Sequence, residues 1–119
     1  MVKDIAFIAY SVRDVPRARD FYQNVLGLTP GESFGDHWVE FDVGGTTFGI
    51  GNGETLGFTP GASTGAAFEV DDIAEMRERV VKAGVEASEA HEFPACFSVF
   101  ASDPEGNKFA LHQRKVKSS

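Results

Sequence analysis

His112 has the plainest capacity for acid–base chemistry in this sequence. An imidazole titrates closest to neutral pH, and this one closes the alternating run Lys108-Phe109-Ala110-Leu111-His112 behind a turn signal. Alternation puts Phe109 and Leu111 on one face of a strand and Lys108, Ala110 and His112 on the other. If the apolar pair packs against a helix, the imidazole faces whatever space the opposite side encloses. Glu69 and Glu40 are the candidate carboxylate partners, and a carboxylate beside an imidazole makes a usable base. His112 and Glu69 are therefore the expected catalytic pair. Phe7, Trp38 and Phe100 are expected as apolar walls of a small-molecule cavity, with Glu40, Cys96 and Ser98 as polar contacts. Each has a plainer reading. A strand-end His can be a hydrogen-bonded structural group, Glu69 and Glu40 can face solvent, and Cys96 after Pro94 can be a small buried hydrophobe. His37 and His91 fall in expected loops, where nothing nearby marks a role.

The elements that must position these residues can be read in order. Pro104 presets a turn, and Glu105-Gly106-Asn107 tolerates the left-handed backbone that closes it. Ile5–Val12 is an apolar, β-branched and aromatic run, predicting a well-covered strand. Asp14 caps a helix expected from about Val15 to Leu26, with Pro16 in its first turn and Gly27 as its left-handed stop. Thr29–Phe34 reads as an extended edge, and Trp38–Val43 and Thr46–Ile50 alternate around a Gly44-Gly45 turn. After a glycine-rich connector, about residues 52–64, the pattern restarts. Gly65–Val70 repeats the first strand, Asp72 the cap, and Ile73, Met76, Val80 and Val81 an amphipathic helix ending at Gly84. Val85–Ser88, Phe97–Ala101 and Lys108–Gln113 complete a second βαβββ unit, and Lys115–Ser119 reads as a polar tail.

The chain has 119 residues, 42% of them hydrophobic and eleven of them Phe, enough to bury a core. A formal charge of −7 repels phosphate backbones and anionic lipid, so neither nucleic acid nor a membrane is an expected partner. One cysteine permits no internal disulfide and fits a reducing compartment. With no signal peptide after Met1 and no membrane-spanning apolar run, the expected location is cytoplasmic.

With both halves in view, the chain resembles the vicinal oxygen chelate superfamily, the group of glyoxalase I, bleomycin-resistance proteins, fosfomycin-modifying enzymes and extradiol dioxygenases. Asp14, Ala18-Arg19-Asp20-Phe21-Tyr22, Leu26-Gly27-Leu28, Phe68-Glu69-Val70-Asp71-Asp72 and Asp103-Pro104-Glu105-Gly106-Asn107 carry the likeness through their order and spacing. It implies an α+β fold in which two βαβββ modules, about residues 3–51 and 65–114, form a partly open, curled mixed β-sheet barrel around a ligand. It also implies a homodimer, as in many relatives.

Metal-dependent relatives place ligands near the start of each module's first strand and on its last strand. Carried onto this sequence, those positions are Phe7, Gly65, Gly49 and Ala110, none of which offers a donor atom. No metal cofactor is therefore expected, and the small residues at three of the four places should enlarge the cavity. Three functions follow. One is a metal-free binding protein or enzyme using His112 and a carboxylate. Another is a metal-dependent lyase, isomerase or dioxygenase built on an unusual divalent-ion set such as His37, Glu40, Glu69 and His112. The last is sequestration of a cationic, flat antibiotic of the bleomycin type, which acidity and aromatic residues would suit.

Overall fold

The structure of the chain, a computed structural model, describes residues 1–53 and 57–115. Its first half runs β1 (Ile8–Val12), α1 (Val15–Asp20) continued by a π-helical turn over Phe21–Val25, β2 (Thr29–Phe34), β3 (Trp38–Val43) and β4 (Thr46–Asn52). The second half runs β5 (Ala66–Glu69), α2 (Ile73–Lys82), β6 (His91–Phe93), β7 (Cys96–Ser102) and β8 (Lys108–Arg114). The βαβββ order thus occurs twice in an α+β fold. Each half makes a four-stranded mixed sheet, in the orders β1-β4-β3-β2 and β5-β8-β7-β6, and the two sheets do not close into a barrel within the chain. In each, only the first strand runs parallel to its neighbour.

Local chemistry fixes the helices. The Asp14 carboxylate accepts from the Arg17 N–H at 3.0 Å, and both Glu105 oxygens reach back from the other half to the N–H groups of Arg13 and Asp14. Asp72 caps α2 through the Glu75 N–H at 3.1 Å. Gly27 and Gly84, at φ 77° and 84°, supply the left-handed residues that end each helical segment. Phe48 and Phe68 pack edge to face at 5.3 Å between the halves, and Tyr10, Tyr22 and Phe109 extend this aromatic core.

Several expected boundaries change. The first helix is α-helical only to Asp20; beyond it Leu26 N–H bonds to Phe21 C=O and Leu28 N–H to Tyr22 C=O, a widened turn that accompanies burial of two consecutive aromatic residues. β1 begins at Ile8, and Ile5 and Phe7 are exposed, because β1 is an edge strand with only β4 beside it. His91 stands on β6 rather than in a loop, paired with Ser98, whereas residues near Ala87 contribute only an isolated bridge to Ala101. His37 does lie in the turn before β3. Glu54, Thr55 and Leu56 of the connector and residues 116–119 of the expected tail lie outside the described residues.

A buried polar knot joins the halves. Asp103, 2% exposed, accepts hydrogen bonds from the Tyr22 hydroxyl, the Asn107 amide and the Glu105 and Asn107 N–H groups. Asn107 also donates to Ser11 C=O in β1 and accepts from the Ser63 N–H of the connector. Burial and the neighbouring Asp103 charge push the Tyr22 phenol well above its usual pKa, so this hydroxyl stays a donor.

The second consequence of the packing is a difference between the open faces of the two sheets. Register makes Trp38 on β3, opposite Gly51, the counterpart of Ser98 on β7, opposite His112. The Trp38 indole lies across Gly49, so that a Cβ there would meet the ring at 2.3 Å, and Phe7 packs on it edge to face at 5.3 Å. Glycine at 49 therefore does not enlarge a cavity, contrary to expectation, because the indole takes the space. Ser98 is too small to do the same over Ala110.

Removing the amide of the knot leaves Ser63 N–H without its acceptor and takes one donor each from Asp103 and from Ser11 C=O, which keeps the Gly61 N–H. Asn107→Ala should lower the unfolding free energy by about 2–4 kcal/mol in urea titrations, and a loss within error would discount the knot. Gly49→Ala should force the indole aside at a cost of about 1–3 kcal/mol. Since Trp38 is the single tryptophan, its emission should shift to the red; unaltered emission would contradict the contact.

Candidate functional site

The open face of the second sheet carries the polar side chains. Register places Glu69, His112, Ser98 and His91 in one row across β5, β8, β7 and β6, with Ala67, Ala110 and Phe100 in the row beside it. Phe109 and Leu111 point the other way and are buried. The alternation that orients His112 is thus the alternation that builds the core.

Within that row the Glu69 carboxylate sits 2.6 Å from His112 Nδ1 and accepts the Arg114 N–H at 2.8 Å, with the Arg114 guanidinium 3.7 Å away. Partial burial disfavours the charged Glu69, but the Arg114 N–H, the imidazole hydrogen bond and the nearby Arg114 and His112 charges outweigh it and hold the carboxyl below its ordinary value. A carboxylate accepting at Nδ1 fixes the neutral ring as the Nδ1–H tautomer, which leaves the Nε2 lone pair without a partner among the described residues. Nε2 can then accept a proton or a hydrogen bond.

Next to this pair a groove of about 780 Å³ spans the starts of β5 and β8 and the end of β7. It lies over Ala67, Ala110 and Phe100 and is bounded by Lys108, Ser102 and Glu86. Of the residues expected to contact a ligand, Phe100 lines it. Glu69 and His112 stand one row beyond its lining on the same face, and Ser98 and Cys96 continue that face, with 3.7 Å between Sγ and the Ser98 hydroxyl. Trp38 and Glu40 lie on the first sheet, where the indole N–H donates to Glu40 at 2.8 Å, and Phe7, just before β1, packs on the indole. Lys108, Ser102 and Glu86 were not singled out from the sequence. Lys108 shares the alternation face of Ala110, a signal that could have found it, whereas Glu86 comes from outside any regular strand and gave none.

The four positions at which the resemblance expects metal ligands do not fit a divalent ion. Phe7, Gly49, Gly65 and Ala110 supply no donor, and at Gly49 the Trp38 indole fills the space a ligating side chain would need. Nor does the fold assemble the alternative set: no group of three or more His, Cys, Asp or Glu able to hold a metal occurs among the described residues, and His37 and Glu40 stay with the first half.

A sequence model of the Glyoxalase/Bleomycin resistance protein/Dioxygenase superfamily matches residues 4–111. Curated proteins give no match by sequence. Among solved structures, TnmS3, an antibiotic binding protein from Streptomyces sp. CB03234, is similar with a TM-score of 0.81 and 23% identity, covering 96% of this chain and 98% of its own. Lactoylglutathione lyase from Agrobacterium tumefaciens aligns with a TM-score of 0.77 and 21% identity over 94% of each chain. A mutant of the fosfomycin resistance protein FosX from Listeria monocytogenes, complexed with Mn(II) and a dihydroxypropylphosphonic acid, aligns with a TM-score of 0.77 and 21% identity over 98% of this chain and 95% of its own. At such identities the likeness establishes the fold, and a reaction has to be argued from the site. Taken with the repeated βαβββ halves, the sequence match over residues 4–111 means that the chain belongs to the Glyoxalase/Bleomycin resistance protein/Dioxygenase superfamily.

Proposed function

We propose that the protein binds a small organic molecule on the open face of its second sheet, without the divalent ion held by relatives such as the Mn(II)-bound FosX, and that it works as a homodimer. The observation that carries this reading is the groove beside the Glu69–His112 pair, on a face whose inherited ligand positions are Gly65 and Ala110. Small residues give the ligand room there, and the imidazole supplies a polar contact at the edge. Glu69 holds the ring so that Nε2 can take a hydrogen bond or a proton from a ligand O–H or N–H. That is the step such a pair would contribute to a lyase or isomerase; with a ligand that has no proton to give up, the pair serves as an anchor.

A second copy is favoured by what the monomer leaves uncovered. Phe7, Phe34, Phe93 and Phe100 are exposed on a body only 22 Å thick, and β2 and β6 are free sheet edges. Among the described residues no helix is long and apolar enough to cross a membrane.

Native mass spectrometry of protein purified without added metal should give a species of about twice 12.9 kDa that carries less than one divalent ion per chain. An organic adduct on it should weaken by about 1–3 kcal/mol in His112→Ala. A persistent monomer, a stoichiometric Mn, Fe, Ni or Zn ion that survives dialysis, or an adduct indifferent to His112 would each overturn the corresponding part. The Glu69 shift sets a pH signature. A carboxyl with a lowered pKa stabilises the fold above its ordinary value of 4.5 and loses that contribution as the pH falls through the lowered value. The native protein should therefore be more stable than Glu69→Gln at neutral pH, with the gap closing below pH 4.5. A gap constant from pH 7 to pH 3 would mean that the charge is not what stabilises the pair.

A further inference from the structure

The groove has polar and apolar ends, and its polar end is rich in donors. Lys108 Nζ donates to the Ser102 hydroxyl at 2.8 Å, and an ammonium has two further protons to give. Ser102 is 6% exposed, and its own O–H has no acceptor among the described residues. The Lys108 backbone is held on both sides, its N–H by Ser63 C=O at 2.8 Å and its C=O by the Tyr10 hydroxyl at 2.5 Å, so the ammonium swings from a fixed stem. Glu86 is the one carboxylate in the lining. It stands 4.0 Å from Nζ with its side chain 89% exposed, and at that distance and exposure it neutralises the ammonium weakly. Beyond this end Ala67, Ala110 and Phe100 give an apolar floor, with the Ser88 hydroxyl beside Phe100 already taken up by the Phe100 N–H and Glu89 C=O.

We propose that the groove takes an amphipathic organic anion, with a carboxylate, sulfonate or phosphonate oxygen on the Lys108 ammonium and the Ser102 hydroxyl and an apolar body over Ala67, Ala110 and Phe100. This rests on the reading of the groove as the ligand site and adds the class of ligand to it. The preference is local and runs against the net charge of −7, which by itself would favour cations. Charge-assisted hydrogen bonds to an anion are short and strong compared with neutral ones, and although the Lys108 side chain is itself 63% exposed, its ammonium is held beside a buried hydroxyl that can share the anion.

Two probes that share an anilinonaphthalene body separate the claims: 8-anilinonaphthalene-1-sulfonate, an anion, and N-phenyl-1-naphthylamine, which is neutral. In fluorescence titrations of the full chain, the sulfonate should bind about tenfold more tightly than the neutral probe. Lys108→Met should abolish that preference, Lys108→Arg should keep it, and Glu86→Gln should widen it. Ala110→Leu, which fills the floor, should weaken both probes. If Ala110→Leu weakens both but the sulfonate preference is absent or survives Lys108→Met, the anion assignment is wrong and the groove stands. If neither probe responds to Ala110→Leu, the groove is not the binding site and the reading beneath the proposal falls with it.

Discussion

The buried carboxylate of Asp103 is the interaction on which the rest of this structure depends. A charge taken out of water costs several kcal/mol unless hydrogen bonds replace its hydration. Here the donors come from α1's continuation through Tyr22 and from the turn itself through Glu105 and Asn107, while Asn107 passes the connection on to β1 and the connector. Of these donors the Tyr22 hydroxyl comes from the other half, so the carboxylate is fully satisfied only when the two halves are docked on each other. The same turn feeds directly into β8, so it sets which residues of that strand face the core. A slip of one residue there would bury Ala110 and His112 and expose Phe109 and Leu111.

From that fixed frame the two halves diverge in what they present. By register, Ser11, Gly51 and Trp38 in the first sheet correspond to Glu69, His112 and Ser98 in the second. The first row is taken up by structure: Ser11 is fully buried and bonded to Phe58, Gly61, Ser63 and Asn107, and Trp38 lies over Gly49 with its N–H tied to Glu40. In the second row Glu69 and His112 pair with each other and remain partly exposed. One repeat has become a support for the connector and the other an open face with free hydrogen-bonding capacity.

Charge follows the same division between global and local. The chain is acidic overall, but fields at physiological salt decay within about 8–10 Å, so a ligand in the groove is governed by the few groups that line it. Lys108, Ser102 and Glu86 line one end of the groove, and the His112 ring stands one row beyond its lining. The aromatic residues are divided as well. Phe7 and Trp38 pack on each other over the first sheet, and Phe100 alone of the expected walls lines the groove.

The sequence by itself determined the repeat, the strand faces and the helix caps, because each depends on near neighbours. Asp14, Asp72, Gly27 and Gly84 act within a turn or two of where they stand, and the alternation of Lys108 to His112 is a property of any pleated strand. It also offered Glu69 as a carboxylate partner for His112, with Glu40 as the other candidate, and the parallel pairing of β5 with β8 is what sets Glu69 beside the ring. Tertiary structure alone decided what fills each face. That the Trp38 indole would close the space above Gly49, that His91 would join β6, and that Glu86 would come to the rim beside Lys108 are outcomes of strand register and loop path across dozens of residues. Their physical reason is long-range packing: a side chain's destination depends on what stands opposite it, and composition and spacing do not encode which strand that will be.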